Sequence, residues 1–211
     1  MRKAKTINNI IRLKGIEYDE YAHIYSHNGE KIPSVTRLIN TKDMFKDVPK
    51  DVLDKTAKLG TELHQDIDYY IQTGEIWDDR MRAFDSQFSI IKSKYGNVIS
   101  TEQTVGAEID GIKYAGRYDI MLEKAIVEIK RKVSSSKLIR QYALQLAAYA
   151  IASDNYDNIE TFIIMYMDNN EWKIKVFNDK EVNAAIECFI YGVINRYKSE
   201  QLINDYFNKL I

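Results

Sequence analysis

An α/β (α+β) domain with a mixed central β-sheet flanked by helices is the fold class this sequence predicts, on three observations. Segments of helical periodicity alternate with segments of strand alternation along the chain. Residues 98–132 read as a strand-rich meander containing Asp110-Gly111, a strong two-residue hairpin signal. A long helical pattern over residues 136–153 then separates that meander from strand patterns at 161–167 and 172–177.

The elements follow in order. Residues 18–31 read as a short hairpin turning at Asn28-Gly29. Pro33-Ser34-Val35-Thr36 leads into a helix with Ser34 as its N-cap. A second helix is expected over 52–73, stopping at Gly74, and a third over 79–95, stopping at Gly96. After the meander, Ser134-Ser135-Ser136 is a natural N-cap for the 136–153 helix. Asp168-Asn169-Asn170 turns between the last two strands, and a final helix starts at Asp179 and runs to about Lys198. With 211 residues, two prolines and no linker-like tract, the chain reads as a single domain over 1–211. Its core spans about 52–177, with a hairpin and helix in 1–51 before it and helical residues 179–211 after it.

Composition narrows the function classes. No apolar run approaches the ~20 residues needed to span a bilayer, and the basic N-terminus lacks the apolar stretch of a secretion signal. Cys188 is the only cysteine, which excludes an intrachain disulfide and a four-cysteine cluster. A reducing, intracellular setting is expected. The net charge of −1 conceals two basic segments without acids. One holds Arg2, Lys3, Lys5, Arg12 and Lys14, the other Lys130, Arg131, Lys132, Lys137 and Arg140. Such runs are either solvated faces or contacts for an anionic polymer.

The meander carries the chemistry. A type I′ turn at Asp110-Gly111 registers Ile109 against Ile112 and therefore Glu102 against Asp119. A two- or four-residue loop at Glu123-Lys124 registers Asp119 against Glu128. The three acids then lie side by side on one face, which Lys130 shares, while Ile112, Tyr114, Tyr118, Ile120, Val127 and Ile129 form the opposite, packed face. Directly opposed carboxylates repel, so they call for a cation; oxygen-rich clusters suit Mg²⁺ or Mn²⁺. The alternative is a set of exposed acids answered by Lys113, Arg117 and Lys130 in cross-strand pairs. Stacked charges also predict that Asp119→Asn raises metal-free stability.

Tyr118-Asp119 followed by Val127-Glu128-Ile129-Lys130 resembles the D…(D/E)-x-K core of the PD-(D/E)XK nucleases. Gly60-Thr61-Glu62-Leu63-His64 is similar to the Gly-Thr-x-x-His motif of RecB-like nucleases, and Gln145-Leu146-Ala147-Ala148-Tyr149 to their Gln-x-x-x-Tyr motif. Pro33-Ser34-Val35-Thr36 resembles a stretch of viral RecB-like and mitochondrial genome-maintenance exonucleases. The matches run over residues 32–150.

This resemblance implies a PD-(D/E)XK restriction-endonuclease-like core in which Asp119, Glu128 and the Ile129 backbone carbonyl hold Mg²⁺ or Mn²⁺, with no iron–sulfur cluster. His64 would ligate the ion or hold it in place, and Glu102 would bind a second ion or tune the first. Lys130 would orient or help deprotonate the attacking water. The substrate implied is DNA, single-stranded or with free ends, and the role is an exonuclease in recombination, repair or replication. Gln141, Gln145 and Tyr149 form one helical stripe, with Lys137, Arg140 and the Ser135 amides near its start; contact with the DNA backbone is expected there, with Tyr149 stacking or binding phosphate. The alternatives are a structure-specific endonuclease and a DNA-binding protein that keeps the fold without cleavage.

Overall fold

The computed structural model describes residues 10–39, 49–169 and 171–208. Its centre is a six-stranded mixed sheet in the order β1-β5-β6-β7-β8-β9, formed by Ile10–Leu13, Val98–Ile109, Ile112–Leu122, Ala125–Lys130, Thr161–Asp168 and Glu171–Val176. All neighbours are antiparallel except β7 and β8. That parallel pair requires a crossover, supplied by the helix α4 (Ser136–Ala152). A three-stranded sheet of β2 (Ile16–Asp19), β3 (Ile24–His27) and β4 (Glu30–Ile32) lies beside it. The chain joins the two sheets at α1 (Val35–Ile39), where Ala115 N–H of β6 donates to the Pro33 carbonyl at 3.1 Å.

Helices cover both faces of the large sheet, as expected of the predicted class. On one side, α2 (Lys50–Thr73) and α3 (Asp79–Tyr95) bury Leu63, Ile67, Phe84 and Phe88 against Ile120, Leu122, Val127 and Ile129. On the other, α1, α4 and the C-terminal helices pack Leu38, Leu146, Ala147, Tyr149 and Phe189 against Ile109, Tyr114, Tyr118 and Met121. Local chemistry fixes the ends. The Asp78 side chain accepts the Met81 N–H at 2.7 Å to start α3, and Ser135 accepts the Leu138 N–H at 3.3 Å to start α4. Asn178 and Glu181 form a capping box for α5 (Asp179–Glu187).

Four expectations change. Residues 10–13, part of the first basic segment and not predicted as an element, are a strand paired with β5. Arg12 donates to the Ile151 carbonyl at 3.2 Å and Lys14 pairs with Asp154, so both serve the fold; Arg2, Lys3 and Lys5 lie outside the described residues. The 18–31 hairpin is a three-stranded meander, with the Asn28-Gly29 turn where expected. The last helix is interrupted by a π-helical segment, Cys188–Ile194, before α6 (Asn195–Asn208). Its wider turns keep Phe189, Ile190, Val193 and Ile194 buried together, with Phe189 edge-on to Tyr114 at 5.3 Å.

The fourth change concerns the sheet faces. The predicted single apolar face divides: Ile112, Tyr114 and Tyr118 pack on the α4 side, whereas Ile120, Val127 and Ile129 pack on the α2–α3 side. Strand alternation slips between Tyr118 and Ile120, opposite Glu102, whose φ of 46° is left-handed. No helix among the described residues is long and apolar enough to cross a membrane.

Candidate active site

The hairpin register survives the slip. Positive φ at Asp110 and Gly111, 50° and 82°, forms the turn, and Ile109 pairs with Ile112. Gln103 still pairs with Tyr118 and Thr101 with Ile120, which leaves Glu102 across from Asp119. The next ladder behaves differently. The pairs between β6 and β7 are Met121 with Ile126 and Ile120 with Val127. Beyond them the strands part, and the Asp119 side chain replaces the backbone partner: its Oδ2 accepts the Ile129 N–H at 2.5 Å.

That gap gathers the predicted residues from three directions. His64 comes from α2, beside the buried Leu63, and its Nδ1 lies 3.3 Å from both Glu102 Oε1 and Asp119 Oδ1. Val127 and Ile129 are committed to the α2–α3 core, so alternation sends Glu128 and Lys130 to the other face. There Lys130 Nζ bonds Glu128 Oε1 and sits 5.0 Å from the centre of the Tyr142 ring on α4. The acids therefore ring a gap between two strands instead of lining one flat face.

Burial sets the electrostatics. Asp119 is 7% exposed and Glu128 1%. Burial alone would raise Asp119, but the His64 charge and hydrogen bond, aided by Lys130 and the Ile129 N–H, hold it below the usual carboxylate range. Glu128 is the reverse case: burial first, then the Asp119 charge, push it up to about 7 despite Lys130. Burial pulls His64 down, yet Asp119 and Glu102 outweigh it and lift the imidazole to about 10. Burial likewise works against the Lys130 cation, and Glu128 with Asp119 overcome it, so the ammonium is held above its ordinary value. Asp119 is answered by His64 and the Ile129 N–H, and one oxygen of Glu128 by Lys130, so the unanswered stacked carboxylates behind the expectation for Asp119→Asn are not what the structure holds.

The donor set fits a divalent cation. His64, Glu102 and Asp119 each offer one ligand atom, all within 4.8 Å of one another. Oε2 of Glu128 is buried without a hydrogen-bond partner, a lone acceptor that a cation would satisfy. Glu128 falls outside the close trio and Glu102 belongs to it. Ile129 contributes its N–H to Asp119. A cavity of about 370 Å³ opens beside the trio, lined in part by Gly60, Thr61, His64, Asp68, Glu102 and Arg117.

The α4 stripe is sorted by exposure. Lys137, Arg140 and the cap Ser135 are exposed, whereas Gln141 and Gln145 are half-buried. Tyr149 is 3% exposed and accepts a hydrogen bond from Gln145 Nε2 at 2.8 Å. Its ring packs where a Cβ on Gly116 would come within 2.4 Å, so it presents no face for a base to stack on. Three residues not predicted for the site border it: Arg117 pairs with Glu102, Asp68 accepts the Thr101 hydroxyl, and the Tyr142 ring faces Lys130. Arg117 precedes Asp119 by two positions on β6, and Asp68 follows His64 by one helical turn. These spacings were visible, but their partners come from distant segments.

No protein-family model matches the chain, and no curated protein matches it. Among solved structures, the protein SSO0001 is similar at 20% identity, over 79% of this chain and 78% of its own, with a TM-score of 0.42. A Eubacterium rectale protein assigned provisionally as an exonuclease is similar at 14% identity, over 58% of this chain and 55% of its own, with a TM-score of 0.37. Overlaps this loose carry no conclusion about the present chain.

Proposed function

We propose that this chain is a divalent-metal-dependent deoxyribonuclease of the PD-(D/E)XK type, acting as an exonuclease in DNA recombination, repair or replication. The observation that carries the reading is the pair of buried acids, Asp119 and Glu128, at a strand gap shared with His64, Glu102 and Lys130. Burying such charges is costly without a function that uses them. The preference for ends over internal sites rests on the RecB-like motifs at Gly60–His64 and Gln145–Tyr149.

Mg²⁺ or Mn²⁺ would be held by Asp119 and His64 with Glu102, Glu128 and the Ile129 carbonyl in support; when bound, it polarises the scissile phosphate and acidifies water. Lys130 stays protonated beside Glu128, so it works as a fixed cation that orients the nucleophile and offsets charge building at phosphorus. Lys137, Arg140, Gln141 and the Ser135 amides lie on the helix that follows and take the DNA backbone. Tyr149 supports Gln145 from behind.

The test is digestion of end-labelled DNA, single- and double-stranded with 5′ or 3′ labels, in Mn²⁺ or in EDTA. Release of terminal nucleotides only with metal is expected. Binding without cleavage across the panel, under varied metals, would refute the catalytic reading, and internal cuts alone would identify an endonuclease.

A further inference from the structure

Glu102 is an improbable residue to find where it is. Its φ of 46° lies in the left-handed region that non-glycine residues avoid. Such a conformation persists only when surrounding contacts over-determine it. Two contacts hold it: Oε1 faces His64 Nδ1 at 3.3 Å, and Oε2 forms an ion pair with Arg117 Nε at 3.0 Å. The guanidinium thus engages one carboxylate oxygen and leaves the other within the trio. Arg117 is itself held from outside, because its guanidinium lies 5.3 Å from the centre of the Tyr18 ring, with Glu20 3.9 Å from its Nη1. Tyr18 in turn stacks on Tyr25 at 4.6 Å, which packs with Ile32 and Ala115 in the core of the small sheet.

We infer that Arg117 is a positioning residue for the metal site, which clamps Glu102 in its left-handed conformation and ties that site to the small N-terminal sheet through Tyr18. The inference rests on the metal-site reading given above, and it assigns the β2–β4 sheet a part in that site. A purely electrostatic role makes the opposite demand. A guanidinium beside the trio repels a divalent cation, so removing it without loss of positioning tightens metal binding. The sign of the effect therefore separates the two roles. Lysine restores the charge but lacks the planar fork, so it should not restore the clamp.

The experiment is Mn²⁺ titration by calorimetry on the full chain and on Arg117→Gln, Arg117→Lys, Tyr18→Leu and Glu102→Gln, with folding checked by circular dichroism in EDTA. Arg117→Gln is expected to weaken Mn²⁺ affinity about tenfold, within the range for residues that orient metal ligands. Arg117→Lys should weaken it in the same direction. Tyr18→Leu, which leaves every charge in place and keeps the test open if Arg117 variants misfold, should weaken it less. In the Glu102→Gln background, adding Arg117→Gln should have no further effect. Unchanged or tighter binding in Arg117→Gln, or in Tyr18→Leu where the Arg117 variants do not fold, overturns the clamp while leaving the metal site standing. Failure of the parent chain to bind Mn²⁺ overturns both.

Discussion

The two ladders that share β6 behave as opposites. Between β5 and β6 the pairing runs from the Asp110-Gly111 turn to Val98, with irregularities near Glu102 and Ser100. Between β6 and β7 it stops after Met121/Ile126 and Ile120/Val127, and a side chain takes over. The long ladder satisfies its own backbone and fixes register; the short one leaves a gap that only polar side chains can fill. The same strand thus serves stability at its turn end and candidate chemistry where its neighbour leaves it.

The gap should be most sensitive at Lys130. Lys130→Ala should leave the fold intact and lower single-turnover cleavage of labelled DNA by about 10²–10³-fold, the scale for losing one preorganised charge donor. Near-native turnover would remove Lys130 from the mechanism.

In EDTA the gap should also make stability depend on pH. Burial and the Asp119 charge push the folded Glu128 carboxyl up to about 7, and, against burial, Asp119 and Glu102 lift the folded His64 imidazole to about 10, from ordinary values of 4.5 and 6.5. Both folded groups bind protons more tightly than the unfolded chain does. Their stabilisation is complete below pH 4.5 and 6.5 respectively, and is lost as pH rises through about 7 and about 10. Thermal unfolding by circular dichroism from pH 6 to pH 9 should therefore show the melting temperature falling by several degrees. A melting temperature that climbs over that range contradicts the assignment. Saturating Mn²⁺ should reverse the slope, since deprotonated ligands favour metal.

Positions of the long ladder outside Glu102 and Arg117 should answer to stability alone. At Gly116 an added Cβ meets the Tyr149 ring at 2.4 Å and Val35 at 3.1 Å. Gly116→Ala should cost ~1–3 kcal/mol in urea unfolding, as overpacking does. Gly111, at φ 82° in open space, has only the backbone penalty, so Gly111→Ala should cost ~1–2 kcal/mol and leave the cleavage rate unchanged. A marked rate loss in Gly111→Ala would mean that the two ends of β6 are not separable.

What was legible in the sequence was local or periodic. Asp110-Gly111 announces its turn because few residue pairs accept positive φ twice, and the register of Glu102 with Asp119 follows from counting. Ser135 announces its helix start by its side-chain oxygen. The slip of faces was not legible, because a glutamate in left-handed backbone has no compositional signature; tertiary contacts impose it. The weight of Arg117 was hidden for a related reason. Its partners, Tyr18, Glu20 and Glu102, are spread across the chain, and only the docking of the small sheet unites them. For β1, four residues paired to an edge were too short to stand out from a basic segment.

The tight seat of Tyr149 on Gly116 also constrains how this chain can change over time. A side chain gained at 116 has no room until the ring at 149 shrinks, and a smaller residue at 149 alone opens a void beneath α4 while stranding Gln145. Neither step is tolerated first, so the two positions should drift as a couple or stay fixed. A set of diverged sequences in which 116 varies freely while 149 stays aromatic would argue against such a lock.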